Sequence, residues 1–562
     1  MMNKDMNFFS DYFYKSMKLR KRRLVRHFNS LKVLKEQERA ETLKTLQDEF
    51  GYVPFNFPNI CIASALPIDI KKSGSFAMIP QNLDLDAHIE KYPPVNSVFF
   101  VADDSGLIKA VNRNGTVGLR FDVERMVYII GLISSIPSRN KDLITEDGFV
   151  PIYSALIRNF FKDYFSYLCY LIETGVLICN GQFRKGKSYG FKFAPEYDSV
   201  PLVKYVYSLV RDRNVDIDPI DDSLLNLPYL SHWYFQKKLF IDENNANNYA
   251  YSLMQEKFRL GRDSWDINKD RWIDSRNDFD RKNPRVQYYA ITNNITALSA
   301  HEYRAMIDDR VHRLHSVLTN MQKDFRNFLT YNGQQLVSID IKNSQPYLLC
   351  LLFNPLFWQS TSNLPLNIQS LPDSIKNLFS IELLERIQEY AVALDIESLN
   401  SYKENVSNGI VYEYIMERVF QEIDIELTRN EAKIMMLIVF FSKNRFFHQP
   451  KAKLKRLFAG LYPEIYELIK LIKLDAHATF ACLLQSIESE IILHRCCKRI
   501  WVEGNKQVPI FTIHDSIVTT IEHKDYVKKV MKEELTKIIG IPPKLSEEFW
   551  TEQNIDFSRF DS

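Results

Sequence analysis

Two aspartates sit where short β-patterns end. In VSIDIKNSQPYLL, Val337, Ile339 and Ile341 alternate with Ser338 and Asp340, and a polar run KNSQ follows. The alternation predicts a strand, and Pro346 reads as a first-turn residue of a following helix. In VPIFTIHDSIVTTIE, two β-segments flank a turn made of His514, Asp515 and Ser516. Each aspartate alone reads as a turn or cap residue as readily as a held ligand. Between them, LTRNEAKIMMLIVFFSKNRFF opens with Thr428 and Glu431 at capping-box spacing. That predicts a helix with Arg429 in its first turn and with Lys433, Leu437 and Phe441 following at four-residue steps along one side. A helix N-terminus, a guanidinium, an ammonium and a flat ring suit a triphosphate with its base. The same residues also make an ordinary salt-bridged amphipathic helix.

The elements that must position these residues belong to a chain of 562 residues, long enough for three or four domains. With 17 Gly but 38 Phe and 29 Tyr, the composition favours a compact, mostly helical protein with few glycine loops. Lys and Arg number 72 against 70 Asp and Glu, so only local patches can argue for a nucleic-acid partner. The seven cysteines show no CxxC or metal-finger spacing, which speaks for a reducing compartment and against structural zinc. The first residues lack the apolar core of a secretory signal. The apolar run IMMLIVFF is too short to span a membrane. The expectation is a cytoplasmic protein.

Basic residues from Lys18 to Arg26 read either as a solvated helix face or as a phosphate contact. Further on, Gly181, Gly186, Lys187 and Ser188 match the spacing of a phosphate-binding Gly-x4-Gly-Lys-Ser loop. Such a loop must open a helix, yet Tyr189, Phe191 and Phe193 alternate as in a strand. The better expectation is a basic hairpin, the wing of a winged-helix-like module, with Arg184, Lys185 and Lys187 against a DNA backbone. The stretch HEYRAMIDDRVHRLHSVLTNMQKDFRNFL reads as helical, with His312 and His315 an ordinary surface pair. Asp216 and Asp218 lie beside Pro219 in a loop context, with no sign of a proofreading exonuclease site.

Taken together, the order is an aspartate on a strand, an Arg-x3-Lys-x7-aromatic helix, and a His-Asp hairpin. This order resembles motifs A, B and C of family A DNA polymerases and the single-subunit phage-type RNA polymerases. The resemblance covers roughly 285–562. It implies that Asp340 and Asp515 are catalytic and hold two Mg²⁺ ions, or Mn²⁺. It implies that Arg429, Lys433 and Phe441 bind the nucleoside triphosphate, and that Gln345 stands where the DNA enzymes carry a sugar-crowding glutamate. It also implies contacts to a DNA primer–template through Arg285, Asn293, Asn294 and Arg304 upstream, and through Gln485, Glu488 and His514 near motif C.

The implied fold is α+β, a right-hand polymerase with a small antiparallel palm sheet and helical fingers from about 355–475. The expected divisions are a basic, mainly helical region 1–123, a winged-helix-like module 124–215, a helical thumb or linker 216–330 contacting duplex, and a palm and fingers domain 331–562. The expected activity is template-directed nucleotidyl transfer on DNA, without proofreading and without a membrane association. Phe441 in place of the usual tyrosine, and Ser442 in place of the following glycine, depart from the family pattern. A single-subunit RNA polymerase or primase, a template-independent nucleotidyltransferase, and a DNA-binding replication protein with a degenerate palm stay open as alternatives.

Overall fold

The computed structural model describes residues 75–555 except 93–98, 103–107, 112–121, 159, 162–163, 182–187, 199, 208–223, 225, 261–263, 267–270, 274–281, 304 and 360–362. The chain forms two compact units, one from Met1–Ile217, Asn244–Thr296 and Phe557–Ser562, the other from Asp218–Glu243 and Ala297–Asp556. It mixes helices with small antiparallel sheets, an α+β architecture. No helix among the described residues is long and apolar enough to cross a membrane.

In the first unit, the helix Val123–Arg139 buries Met126, Val127, Ile130 and Ile133. It lies against the antiparallel pair Ser75–Pro80 and Leu202–Tyr207. A Cβ at Gly131 would come within 2.7 Å of the Ala77 Cβ, so only glycine permits this approach. A second small sheet orders Val150–Pro151, Gly190–Phe193 and Leu177–Cys179. The segment after Ser188 is therefore a strand. The tip between the last two strands, with Arg184, Lys185 and Lys187, lies outside the described residues. So do Lys18–Arg26, Asp216, Asp218 and Arg304.

The second unit carries both aspartates. Its sheet begins with β1 (Leu239–Ile241). A hairpin of β2 (Ala305–Ile307) and β3 (Leu314–Ser316) follows. Next come β4 (Leu329–Tyr331), β5 (Gln334–Ile341) and α1 (Ser344–Leu352). A helical block then includes α2 (Val411–Ile423), α3 (Arg429–Phe441), α4 (Lys453–Leu461) and α5 (Pro463–Ile472). The chain returns through α6 (Thr479–Ser489) to β6 (Phe511–Ile513), β7 (Ser516–Thr520), α7 (Lys524–Ile539) and β8 (Leu545–Trp550).

The sheet order is β6-β7-β5-β4-β1, and β8 also pairs with β5. The strand β5 is thus central, with β7 and β8 both antiparallel to it. Its Val337, Ile339 and Ile341 are buried, as a central strand requires. Because β1 pairs with β4, this unit draws residues from the 216–330 stretch that the sequence assigns to a separate region.

The helical reading of residues 301–329 is corrected by the hairpin β2–β3. Asp308 explains the turn: its carboxylate accepts the backbone N–H groups of Arg310, Val311 and Arg313. These local bonds give the backbone an alternative to helix. His312 and His315 consequently sit in the turn and on β3, with His315 Nε2 beside the Asp308 carboxylate at 3.3 Å.

The capping box of α3 is present, Thr428 Oγ1 accepting from the Glu431 N–H and the Glu431 carboxylate accepting from the Thr428 N–H. Thr428→Ala should lower stability by about 1 kcal/mol, read as a lower denaturant midpoint with an unchanged slope.

Candidate active site

The β-ladder brings the two aspartates together. Asp340 pairs with Ser516 across β5 and β7, and Asp515 immediately precedes Ser516 in a two-residue turn closed by the Ile513–Ser516 pair. His514, the first turn residue, has φ 54°. A left-handed backbone at a non-glycine residue costs about 1 kcal/mol, and here it sets the direction in which Asp515 leaves the hairpin. On the other side, Asn343 turns the chain from β5 into α1 with φ 55°. Asparagine is among the few side chains that tolerate this conformation.

The Asp340 and Asp515 carboxyl groups lie close enough for each to shift the titration of the other. Desolvation is the main cause that pushes Asp340 up to about 8, and the adjacent Asp515 charge adds to it. Glu548, opposite Ser338 on β8, raises Asp340 further, while Lys323 opposes the rise. Lys323 is itself tied to Glu548 at 2.8 Å. Burial likewise raises Asp515, against the stabilising effects of the Ser344 hydroxyl and the Arg313 charge.

Around this pair lies a shell of polar groups. Glu488 on α6 is almost fully buried, with Oε1 accepting from Arg313 at 2.6 Å and Oε2 accepting from Gln345 at 3.2 Å. Desolvation pushes the Glu488 carboxyl up to about 7, and Arg313 works against that. Asn343 Nδ2, Gln345 Oε1 and Arg313 Nε are buried without a hydrogen-bond partner among the described residues. A buried polar atom left without a partner costs about 1–3 kcal/mol. Three such atoms lie on residues that also contact or adjoin the Asp515–Glu488 cluster.

On the helical block, Arg429, Lys433, Leu437 and Phe441 line the exposed side of α3, while Ala432, Met435, Met436, Val439 and Phe440 are buried. Arg429 donates to the Glu413 carboxylate at 2.7 Å and stacks over the Tyr412 ring at 5.2 Å. Burial pushes the Tyr412 phenol up to about 12, with Arg429 lowering it and Asp515 raising it. Tyr412 therefore lies in the field of both the guanidinium and the carboxylate pair.

Other expected contacts are placed differently. Arg285 is engaged with Asp198 at 3.2 Å and lies over Phe258. Asn293 and Asn294 are buried, and Asn293 accepts from the Ser138 hydroxyl at 2.9 Å. Gln485 is half-buried on α6, one turn before Glu488, and His514 is exposed. Arg313, Ser344, Tyr412 and Lys323 escape the sequence reading. Ser344 stands inside the polar run that separates β5 from Pro346, and that run was its only signal. Arg313 lies in a segment read as helix, which concealed its register.

Among the described residues no three His, Cys, Asp or Glu groups are close enough to hold a metal by themselves. Two apposed carboxylates still fit Mg²⁺, which is commonly held by one or two carboxylates with water and substrate phosphates completing its shell.

Asp340 binds a proton in the folded state at pH values where the unfolded chain has lost it. This contribution to stability is present below its ordinary value of 3.8 and is lost as pH rises through about 8. The melting temperature of the metal-free protein should fall across that window, and Asp340→Asn should flatten the fall. Breaking the Arg313–Glu488 pair by Arg313→Met strands a buried carboxylate and should cost about 3–5 kcal/mol. Adding Glu488→Met should recover much of that loss in chemical denaturation.

No family model matches the chain, and no curated protein matches it. Among solved structures, it is similar to the POL domain of Pol1 from M. smegmatis in complex with DNA primer-template and dNTP. The identity is 10% and the TM-score 0.27, over 58% of this chain and 66% of that one. A likeness at that level carries no argument, and the functional reading rests on the site itself.

Proposed function

We propose that this protein is a template-directed nucleotidyltransferase that adds deoxynucleotides to a DNA primer. The observation that carries the reading is that the ladder sets Asp340 opposite Ser516, next to Asp515, with the two carboxyls close enough to shift each other's titration. The motif order along the sequence supports it independently.

Asp340 and Asp515 would hold two Mg²⁺ ions. When bound, the metals supply charge that favours the primer 3′-hydroxylate and neutralises the departing pyrophosphate. The chain's own residues do the positioning. Arg429 and Lys433 meet the triphosphate from α3, where a guanidinium and an ammonium orient phosphates for in-line attack. Phe441 offers a ring to the base. Gln345, fixed through Glu488 to Arg313, presents its amide beside the sugar and crowds the ribose 2′ position. Glu413 holds Arg429 until phosphate competes for it, because the pair is solvent-exposed and weak.

Asp340→Asn and Asp515→Asn should each abolish primer extension while the circular dichroism spectrum and thermal melt remain cooperative. Full activity in either variant would remove both residues from the chemistry. The sugar preference is read by offering a primed template with dNTPs or with NTPs. Incorporation of dNTPs is expected, and preferential, processive NTP use would move the assignment to RNA synthesis.

A further inference from the structure

The sequence between Glu431 and Glu464 contains no Asp or Glu, yet it contains Lys433, Lys443, Arg445, Lys451, Lys453, Lys455 and Arg456. The structure places most of these on one connected stretch. It runs from the end of α3 through two 3₁₀ turns, Asn444–His448 and Pro450–Ala452, into α4. Lys443, Arg445, Lys451, Lys453 and Arg456 are exposed.

The stretch carries no carboxylate of its own to neutralise them. Among the described residues, none of the five exposed cations between Lys443 and Arg456 is paired with a carboxylate. The helix α4 adds to the imbalance. Its N-cap, Ala452, offers no side-chain hydrogen bond, and lysines stand on both sides, at 451 and 453. Positive charge at a helix N-terminus is unfavourable, and an anion there reverses the sign.

The backbone beneath these charges is pinned. Arg456 donates to the carbonyls of Phe447 at 2.9 Å and Gln449 at 2.8 Å. The buried Lys455 ammonium donates to the Lys443 carbonyl at 2.9 Å and to the Ser442 hydroxyl at 3.1 Å. Asn444 Nδ2 donates to the Lys470 carbonyl at 2.9 Å. The Phe447 ring packs on Tyr466 with centroids 5.4 Å apart. The cations are thus presented from a fixed loop, which lowers the entropy lost when they meet a ligand.

We propose that the surface from Lys443 to Arg456 binds the phosphates of single-stranded nucleic acid. A row of unpaired cations next to partly exposed rings, here Phe441 and Phe446, is the pattern that suits a strand with free base faces. A duplex has no base face to offer such rings. The choice of partner rests on the nucleotidyl-transfer reading, since a template must approach α3 as a single strand. The charge geometry does not depend on that reading.

The test is fluorescence anisotropy with a labelled oligodeoxythymidine, without divalent metal or nucleotide, across a salt series. The variant K443A/R445A/K451A/K453A should bind more weakly. Its slope of log affinity against log salt should be shallower by about 3, from four phosphate contacts at ~0.7 each on a single strand. The charge-keeping variant K443R/K451R/K453R should bind like the parent. Thermal melts of both variants exclude misfolding as the cause. An unchanged affinity and slope in the alanine variant would overturn the proposal, as would preferential binding of blunt duplex or of anionic lipid vesicles. Asp340→Asn separates the two readings: it should lose extension and keep strand binding. If it kept extension while the alanine variant lost strand binding, the catalytic assignment would fail and the surface would stand.

Discussion

Two carboxylates forced together are the constraint around which the second unit is organised. Like charges at such separation cannot both remain ionised in a partly desolvated site without compensation. The fold supplies several partial compensations at once: the Ser344 hydroxyl, the Arg313 guanidinium and the nearby Lys323. It also prevents escape. The ladder register fixes Asp340 against Ser516, and the turn closing at Ser516 fixes Asp515 beside it. A one-residue slip would send Asp340 to the opposite face of the sheet. Two flanking strands make that slip costly.

Local signals made part of this legible. The alternation around Asp340, the turn at Asp515 and the capping box at Thr428 each follow from short-range chemistry, and each element is where its pattern places it. The β2–β3 hairpin was not legible. Its cause is one carboxylate, Asp308, collecting three backbone N–H groups, and residue periodicity contains no record of that. The same error concealed Arg313, whose meaning depends on a partner far along the chain, Glu488. Glu488 itself was picked out by its place in a helix, but its near-complete burial was not foreseeable from an isolated charged letter.

The helix carrying Glu488 continues directly into a π-helical stretch, Glu490–Cys497, before returning to α-helix at Lys498–Glu503. Wider turns of this kind are rare and recur near functional sites, because they shift the phase of side chains along one rod. Here the shift separates two tasks. Glu488 faces the carboxylate pair, whereas Cys496 and Cys497 beyond it are fully buried. His494 within the stretch hydrogen-bonds the Tyr229 hydroxyl at 2.8 Å. A regular helix would not serve both environments with the same spacing.

The central placement of β5 has a kinetic consequence. A strand bonded along both edges opens only with the loss of many cooperative hydrogen bonds, so its amide exchange belongs to the slowest class. Asp340 is therefore a stationary reference point within its unit. Any motion that closes the site around a ligand belongs to the helical block carrying Arg429 and Lys433, whose link to Glu413 is solvent-exposed and easily exchanged. Helix rearrangements of that kind run in microseconds to milliseconds. The unit thus pairs a slow, fixed sheet with a helical block that is freer to adjust.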